Sequence, residues 1–303
     1  VCVPISPSSD SQPLNHFMEA AKVGAIVADK NNISKIRTAS IDIPVFIFEN
    51  KNSREAGKKF GSLNIDAFAD KDVKMQTKTH NKGRAYDQAM IIFTSGTTGL
   101  PKPVKISNRR WCAEALTTAA AAHITYKDTI YCCLPLYHST GLFKAVSSSL
   151  VSGARLAIAS NFSVTEFWND VRRYGATICF YNAEMCKKLL DNSKTPHDKN
   201  HSVRLFIGTG MPKNLWHQFE ARFGIEKIIE VYSLTECNLS LFNLNGKFGA
   251  VGRTLGDPDN ITLVRYNPLT DEIELNKRGR PIICRNNEIG LMLSKIDKTN
   301  PFG

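Results

Sequence analysis

The sequence lacks several features that would assign it to other classes of protein. The chain of 303 residues contains no apolar run of about 18 residues, so it predicts no transmembrane helix. Its lysines and arginines form no block of like charge, which argues against a nucleic-acid-binding tail. The eight cysteines include no C-x-x-C pair, so neither a zinc ribbon nor a thioredoxin-like site is supported. No signal peptide is visible; because the chain begins with Val1, we expect it to be a segment of a longer protein.

The composition is that of an ordinary globular protein with a basic excess. Hydrophobic residues make up 42% of the chain and charged residues 22%. The net charge of +11 favours an anionic partner but does not choose among nucleic acid, a membrane surface and a polyanionic substrate. Cys132, Cys133 and Cys179 lie in apolar runs, which predicts buried free thiols in a reducing compartment. His197 and His201 have metal-like spacing, but their polar surroundings favour a loop over a metal site.

Short apolar segments alternate with helical patterns between residues 88 and 232. Segments such as "TIYCCLP", "TICFY" and "KIIEVY" are apolar on both faces, and segments of ten to fifteen residues with helical spacing separate them. This alternation predicts an α/β fold of mostly parallel sheets covered by helices. We divide the chain into a first α/β part (1–87), a core α/β part carrying the nucleotide loops (88–238), and the start of a β-rich subdomain (239–303).

Three loops at predicted strand ends carry unusual residues, and the first of them spans residues 94–102. It holds four hydroxyl side chains, two glycines and one lysine: Thr94, Ser95, Gly96, Thr97, Thr98, Gly99 and Lys102. Glycines permit close approach of a ligand, backbone N–H groups can form an anion-binding nest, and the lysine adds a positive charge. The loop does not match the Walker A pattern. We interpret it as a polyphosphate site; the alternative is a plain Ser/Thr/Gly turn.

The same stretch carries a family resemblance. "FTSGTTGLPK" resembles the phosphate loop of adenylate-forming enzymes, which include acyl-CoA synthetases, luciferases and peptide-synthetase adenylation domains. Three further segments resemble that family in the same order: "LPLYHSTG" (134–141), "GTGMP" (208–212) and "VYSLTECN" (231–238). The segments "TECNLSLFNLNGKFGAVGR" and "DEIELNKRGRPIICRNNEIGLM" are more similar to the very-long-chain acyl-CoA synthetase and fatty acid transport protein subfamily than to luciferases.

The resemblance implies roles for individual residues. The phosphates of ATP would contact the residues of the first loop, and Lys102, His138, Thr235 and Glu236 would form the catalytic set. Thr235 would contact the α-phosphate, Glu236 would hold Mg²⁺, and His138 would lie near the acyl carboxylate. The residues implied to contact adenine are Gly208, Thr209, Gly210, Met211 and Tyr232.

Each assignment in this set has a plainer alternative, and two positions depart from the family pattern. The alternatives are a core histidine for His138, a solvated charge for Glu236, a simple turn for Thr209 and Gly210 and a buried strand aromatic for Tyr232. Ser233 stands where relatives carry glycine, and its side chain would crowd adenine. Pro103 stands where many relatives have Gly or Ala, and it removes one backbone donor.

The activity implied is ATP-dependent activation of a long- or very-long-chain fatty acid to acyl-CoA through an acyl-adenylate. ATP, Mg²⁺ and coenzyme A would be required, and no nucleic acid is expected. The resemblance also implies a membrane-associated protein at the endoplasmic reticulum or plasma membrane, with its catalytic domain in the cytosol. The alternatives are a non-catalytic protein for lipid uptake or binding and a synthetase for bile or other branched acids.

The resemblance further implies elements that the chain does not contain. Relatives carry, further along, an aspartate that binds ribose and a small C-terminal domain with a catalytic lysine, and neither is found before Gly303. We therefore expect residues 1–303 alone to be inactive.

Overall fold

The computed structural model describes residues 1–39, 43–48, 63–64, 83–94 and 99–296. The chain divides into two compact units, Val1–Trp111 and Cys112–Gly303. The three-part division suggested by the sequence stays a prediction.

The first unit contains a parallel sheet and a separate antiparallel pair of strands. Strands β1, β2 and β3 form the parallel sheet, whereas β4 pairs antiparallel with β5. Phe17 of the first helix packs on Phe93 of β4, with ring centroids 4.4 Å apart. The elements are α1 (Ser11–Ala20), β1 (Ile26–Asp29), α2 (Ile33–Thr38), β2 (Val45–Phe48), β3 (Leu63–Asn64), β4 (Gln88–Thr94) and β5 (Lys102–Ser107).

The second unit is built on a seven-stranded sheet with the order β12-β11-β10-β9-β8-β6-β7. The described elements from the division onward are α3 (Asn108–Ala121, which spans the division), β6 (Thr129–Cys132), a π-helix (Thr140–Val146), α4 (Ser147–Ser152), β7 (Arg155–Ile158), α5 (Phe167–Tyr174), β8 (Ile178–Asn182), α6 (Ala183–Asp191), β9 (Leu205–Thr209), α7 (Lys213–Phe223), β10 (Ile228–Ser233), β11 (Ser240–Asn243), β12 (Arg253–Thr254), β13 (Ile261–Val264), β14 (Tyr266–Asn267), β15 (Glu272–Ile273) and β16 (Leu291–Ser294). Strands β6 to β10 pair in parallel, which confirms the predicted sheet type.

The apolar strands lie in the core because both of their faces are covered. Phe206 on β9 and Trp216 on α7 are completely buried, as continuous apolar runs require. Cys133 and Cys179 are buried free thiols, as predicted, and burial raises the pKa of Cys133 to about 12. His201 serves the packing: its ring stacks on Trp168 at 4.7 Å, and its Nε2 hydrogen-bonds the carbonyl oxygen of Phe223.

Strand β11 extends the main sheet past residue 238, where the sequence analysis began the β-rich segment. It pairs antiparallel with β10, and β12 follows it at the sheet edge. The later strands form two separate antiparallel pairs, β13 with β16 and β14 with β15. The pattern after residue 239 therefore predicts strands correctly, but not the sheet that the first of them joins.

An ion pair between α7 and the loop before β9 supports a prediction about stability. Arg222 Nε lies 2.7 Å from Asp198 Oδ2, and the two side chains are 9% and 11% exposed. Burial by itself would raise the pKa of Asp198, but hydrogen bonds from Arg222 and Thr195 outweigh it and lower the pKa below 3.8. We expect Asp198→Asn to lower the free energy of unfolding by about 3 kcal/mol at pH 7, because it leaves a buried guanidinium without its counter-charge.

The pH dependence follows from the lowered pKa of Asp198. The ion pair contributes fully above pH 3.8, and its contribution is lost as the pH falls through the lower folded-state value. Urea unfolding should therefore be measured for the wild type and for Asp198→Asn, at pH 7 and below pH 3.8. The two free energies of unfolding should differ at pH 7 and become equal only at the acidic pH. Glu184→Gln, which removes the exposed pair with Lys188, is the control and should change little. An equal loss in both variants would contradict the prediction.

Candidate nucleotide site

The predicted phosphate loop is the connection of a β-hairpin in the first unit. Thr94 and Lys102 are directly opposite each other in the antiparallel register of β4 and β5, so the two ends of the loop are adjacent. Gly99 and Lys102 are exposed. The four central residues of the prediction, Ser95, Gly96, Thr97 and Thr98, lie outside the described residues. The loop lies at the end of a strand, as predicted, but that strand belongs to a hairpin: β4 pairs antiparallel with β5, and its other pairing among the described residues is a single parallel bridge from Met90 to Cys2.

Helix α1 contacts the same hairpin through a residue that the sequence analysis did not single out. His16 Nε2 lies 2.7 Å from the carbonyl oxygen of Pro101, and its ring meets Phe93 edge-on at 6.1 Å. A lone histidine on an amphipathic helix carries no recognisable signal, since only the folded unit shows which carbonyl it reaches. His16 thus joins helix α1 to the hairpin next to Lys102.

The other predicted loops lie in the second unit, at the carboxyl edge of the parallel strands. Strand β6 has β7 on one side and β8 on the other, so the direction of winding reverses at β6. In open α/β sheets ligands bind at the carboxyl ends of strands around such a point. The segment 134–141 follows β6, 208–212 spans the end of β9, and 233–238 begins at the last residue of β10.

Two of these segments touch. Thr235 Oγ1 lies 3.4 Å from Ser139 Oγ, which brings the segment after β10 against the segment after β6. His138, the neighbour of Ser139, is exposed, so the core-histidine alternative does not describe it. Its ring lies 4.6 Å from that of Tyr137. Partial exclusion of water lowers the pKa of His138 below 6.5, so its imidazole is neutral at pH 7.

A buried ion pair anchors the helix that follows His138. Lys144 Nζ, in the π-helix, lies 2.8 Å from Glu114 Oε2 on α3, and the lysine side chain is 6% exposed. Ser240 Oγ donates to the other oxygen of Glu114 at 3.0 Å, at the start of β11. π-helical turns often occur at functional sites. The network joins the segments flanking His138 and Thr235, and sequence spacing could not reveal it because its members are up to 126 residues apart.

The loop at the end of β9 is anchored by a buried carboxylate on the neighbouring strand β10. Glu230 on β10 accepts hydrogen bonds from the backbone N–H groups of Gly210 and Met211 and from the hydroxyl of Tyr181. Burial raises the pKa of Glu230, although these hydrogen bonds oppose the rise. Within the loop, Gly208 and Met211 are buried, whereas Thr209 and Gly210 are exposed. The exposed pair is therefore the part of the loop that faces solvent.

The segment after β10 presents the remaining predicted residues. Tyr232 and Ser233 are half-buried at the end of β10, and Glu236 is exposed. Glu236 forms none of the ion pairs found among the described residues. In that same part of the chain, no group of three or more His, Cys, Asp or Glu side chains is placed to hold a metal ion by itself. Magnesium at a nucleotide usually takes one or two carboxylates together with phosphate oxygens and water, so a single accessible carboxylate suits it.

Comparison with known proteins identifies the family of the chain. A family model described as "AMP-binding enzyme" matches residues 1–268. The chain belongs to the AMP-binding enzyme family. This AMP-binding chain is 37% identical over 223 residues to long-chain fatty acid transport protein 1 of Bos taurus, a match covering 71% of this chain and 34% of the relative. It is 35% identical over 251 residues to the medium/long-chain-fatty-acid–CoA ligase FadD6 of Mycobacterium tuberculosis, covering 82% of this chain and 41% of the ligase.

A solved structure confirms the fold of this AMP-binding chain. The crystal structure of ATP-bound MatB from Rhodopseudomonas palustris superposes with a TM-score of 0.74 at 24% identity, covering 96% of this chain and 54% of MatB. The resemblance to adenylate-forming enzymes predicted from the four motifs is confirmed by the family model and by the curated relatives. The chain spans about a third of the length of the fatty acid transport protein that it matches. Among its described residues, no helix combines the length and the apolar character needed to cross a bilayer.

Proposed function

We propose that the protein activates long- or very-long-chain fatty acids with ATP and passes the acyl group to coenzyme A. The carboxylate attacks the α-phosphate of ATP, an acyl-adenylate forms, and pyrophosphate leaves. The thiol of coenzyme A then attacks the acyl carbon, and AMP leaves. Membership of the AMP-binding family supports the adenylating step, and relatives named as fatty acid transport proteins and fatty-acid–CoA ligases support the substrate.

The observation that carries the proposal is the meeting of Thr235 with Ser139 at the carboxyl edge of the sheet. It joins the segment proposed to contact the α-phosphate to the segment proposed to contact the acyl carboxylate. An adenylating enzyme must hold these two anions within bonding distance of each other. The neutral imidazole of His138 beside them adds no positive charge and suits hydrogen bonding to the acid.

The chain's own residues would then act by binding and by neutralising charge. The β- and γ-phosphates would be bound by Thr94, the hydroxyl and glycine residues 95–99 and Lys102. The adenine would be lined by Gly208, Thr209, Gly210, Met211 and Tyr232. Glu236 would hold Mg²⁺, which supplies charge neutralisation at the phosphates. Such chemistry depends on positioning and electrostatics more than on a covalent protein group.

The decisive experiment is acid-dependent exchange of pyrophosphate into ATP by the full-length protein. We expect exchange with fatty acids of long chain, weaker exchange with medium-chain acids, and acyl-CoA formation when coenzyme A is added. Exchange with bile or branched acids in preference to straight chains would replace the substrate assignment. The absence of exchange with every acid tested would overturn the proposal.

A second function is favoured by the names of the relatives. Several are fatty acid transport proteins, so we also propose that ligation is coupled to uptake of the fatty acid at a membrane surface of the endoplasmic reticulum or plasma membrane. Uptake of labelled fatty acid by cells expressing the protein separates the two roles. If a variant without exchange activity still supports uptake, binding and not ligation drives transport.

Lys102 provides a test of the phosphate assignment. Lys102→Ala should raise the KM for ATP by about 10- to 100-fold, because a hydrogen bond to a charged group contributes about 1.5–3 kcal/mol. Lys105→Ala is the matched control, since Lys105 is also exposed and lies on the same strand three residues further along. Pyrophosphate exchange measured over a range of ATP concentrations should separate the variants. Equal KM values would remove Lys102 from the site.

A further inference from the structure

Three residues on adjacent strands form a row beneath the β9 loop. Gly208 on β9 is in register with Tyr181 on β8 and with Glu230 on β10. Because Gly208 has no side chain, the Tyr181 ring passes across it, and its hydroxyl donates to Glu230 Oε2 at 2.6 Å. A methyl group at Gly208 would lie 2.6 Å from Cγ of that ring. The row Tyr181–Gly208–Glu230 is thus one interlocked unit.

The carboxylate in this row is buried without a counter-charge. Glu230 is 6% exposed, and no Lys, Arg or His in the described part of the chain forms an ion pair with it. A buried carboxylate without a counter-charge costs free energy unless hydrogen bonds satisfy it. Its remaining role lies with the groups that it binds.

Those groups are the amides of the loop. Met211 N–H donates to both carboxylate oxygens at 3.2 and 3.1 Å, and Gly210 N–H donates to Oε1. Gly210 has a φ of +84°, a conformation that favours glycine, and it turns the chain so that its N–H faces the strand. Fixing these two amides fixes the peptide planes around the exposed residues Thr209 and Gly210.

We propose that Glu230 and Tyr181 are positioning residues that hold residues 208–212 in the conformation that receives the adenine of ATP. The inference rests on the proposed function, which assigns adenine to this loop. Glu230 acts through the Gly210 and Met211 amides, and Tyr181 acts by orienting the carboxylate. Substitutions here should weaken nucleotide binding and leave the chemistry of bound ATP largely intact.

The test compares variants of the full-length protein. Glu230→Ala should raise the KM for ATP by about 10- to 100-fold, as expected for lost hydrogen bonds to a charged group, with a smaller fall in kcat. Glu230→Gln should recover most of the affinity, because its amide oxygen can accept from both loop N–H groups while its NH₂ group donates to the Tyr181 oxygen. Tyr181→Phe should lie between them. Hydrogen exchange of the peptide containing residues 208–212, without nucleotide, should be faster in Glu230→Ala.

Tyr131→Phe is the matched control, because Tyr131 is a buried tyrosine whose hydroxyl donates to a different carboxylate, that of Asp170, at 2.9 Å. It should leave the KM for ATP unchanged. The inference would be overturned if Glu230→Ala left both the KM for ATP and the hydrogen exchange of residues 208–212 unchanged. A fall in kcat alone would also overturn it. If Glu230→Ala does not fold, Glu230→Gln and Tyr181→Phe decide the matter by the same measurements. If the wild-type protein binds no ATP, the proposed function is overturned instead. Hydrogen exchange of residues 208–212 would then decide by itself whether Tyr181 and Glu230 fix the conformation of the loop.

Discussion

Replacing Glu236 by glutamine should lower acid-dependent pyrophosphate exchange by about 100-fold or more, as is typical when a contact to developing charge is removed. Glutamine keeps the size of the side chain and removes its charge. The variant should also require more Mg²⁺ for half-maximal activity, since a neutral amide is a weaker ligand for a hard cation. The exposed position of Glu236 means that the fold should be unaffected.

Glu226→Gln is the matched control for this prediction. Glu226 is also exposed and lies just before β10, at the end of the strand opposite to Glu236. Its substitution should leave both the exchange rate and the magnesium dependence unchanged. Calorimetric titration of ATP at several Mg²⁺ concentrations gives a second readout that does not depend on turnover. A wild-type magnesium dependence in Glu236→Gln would show that Glu236 is not a ligand.

Gly208→Ala should destabilise the second unit by about 3 kcal/mol or more, at the upper end of the usual cost of overpacking a core. The added methyl group would overlap the carbonyl oxygen of Tyr181 and lie 2.6 Å from Cγ of its ring. The overlapping oxygen belongs to the backbone of β8, which is buried between β6 and β9 and cannot yield locally. The clash should also separate Tyr181 from Glu230, so ATP affinity should fall together with stability.

Urea unfolding and calorimetric titration of ATP measure these two effects. Gly256→Ala is the control in the same unit, because the nearest atom to its added methyl group is Thr254 Oγ1 at the ordinary contact distance of 3.6 Å. Wild-type stability in Gly208→Ala would mean that β8 and β9 shift apart without cost. Lost stability with wild-type ATP affinity would separate Gly208 from the nucleotide loop.

The family and the sheet type could be predicted from the sequence because each depends on local order along the chain. The apolar strands and the helices between them determine a parallel sheet in the second unit, and the four ordered motifs indicate an adenylate-forming enzyme. The same reasoning did not show that the 94–102 loop connects a hairpin. An apolar strand followed by a glycine-rich loop is common to hairpins and to parallel strands, and only pairing partners distinguish the two.

The motifs likewise predicted which residues contact the ligands. They did not predict which buried residues support those contact residues. Glu230, Tyr181, Lys144 and Glu114 are ordinary residues in strands and helices, with no spacing that marks them. Glu114 and Lys144 lie 30 residues apart in the chain, and Tyr181 and Glu230 lie 49 residues apart. The sequence by itself therefore determined the family and named the loops that are proposed to carry its chemistry. The tertiary structure decided which buried charges anchor those loops, because register between strands and the burial of charge exist only once the sheet has formed.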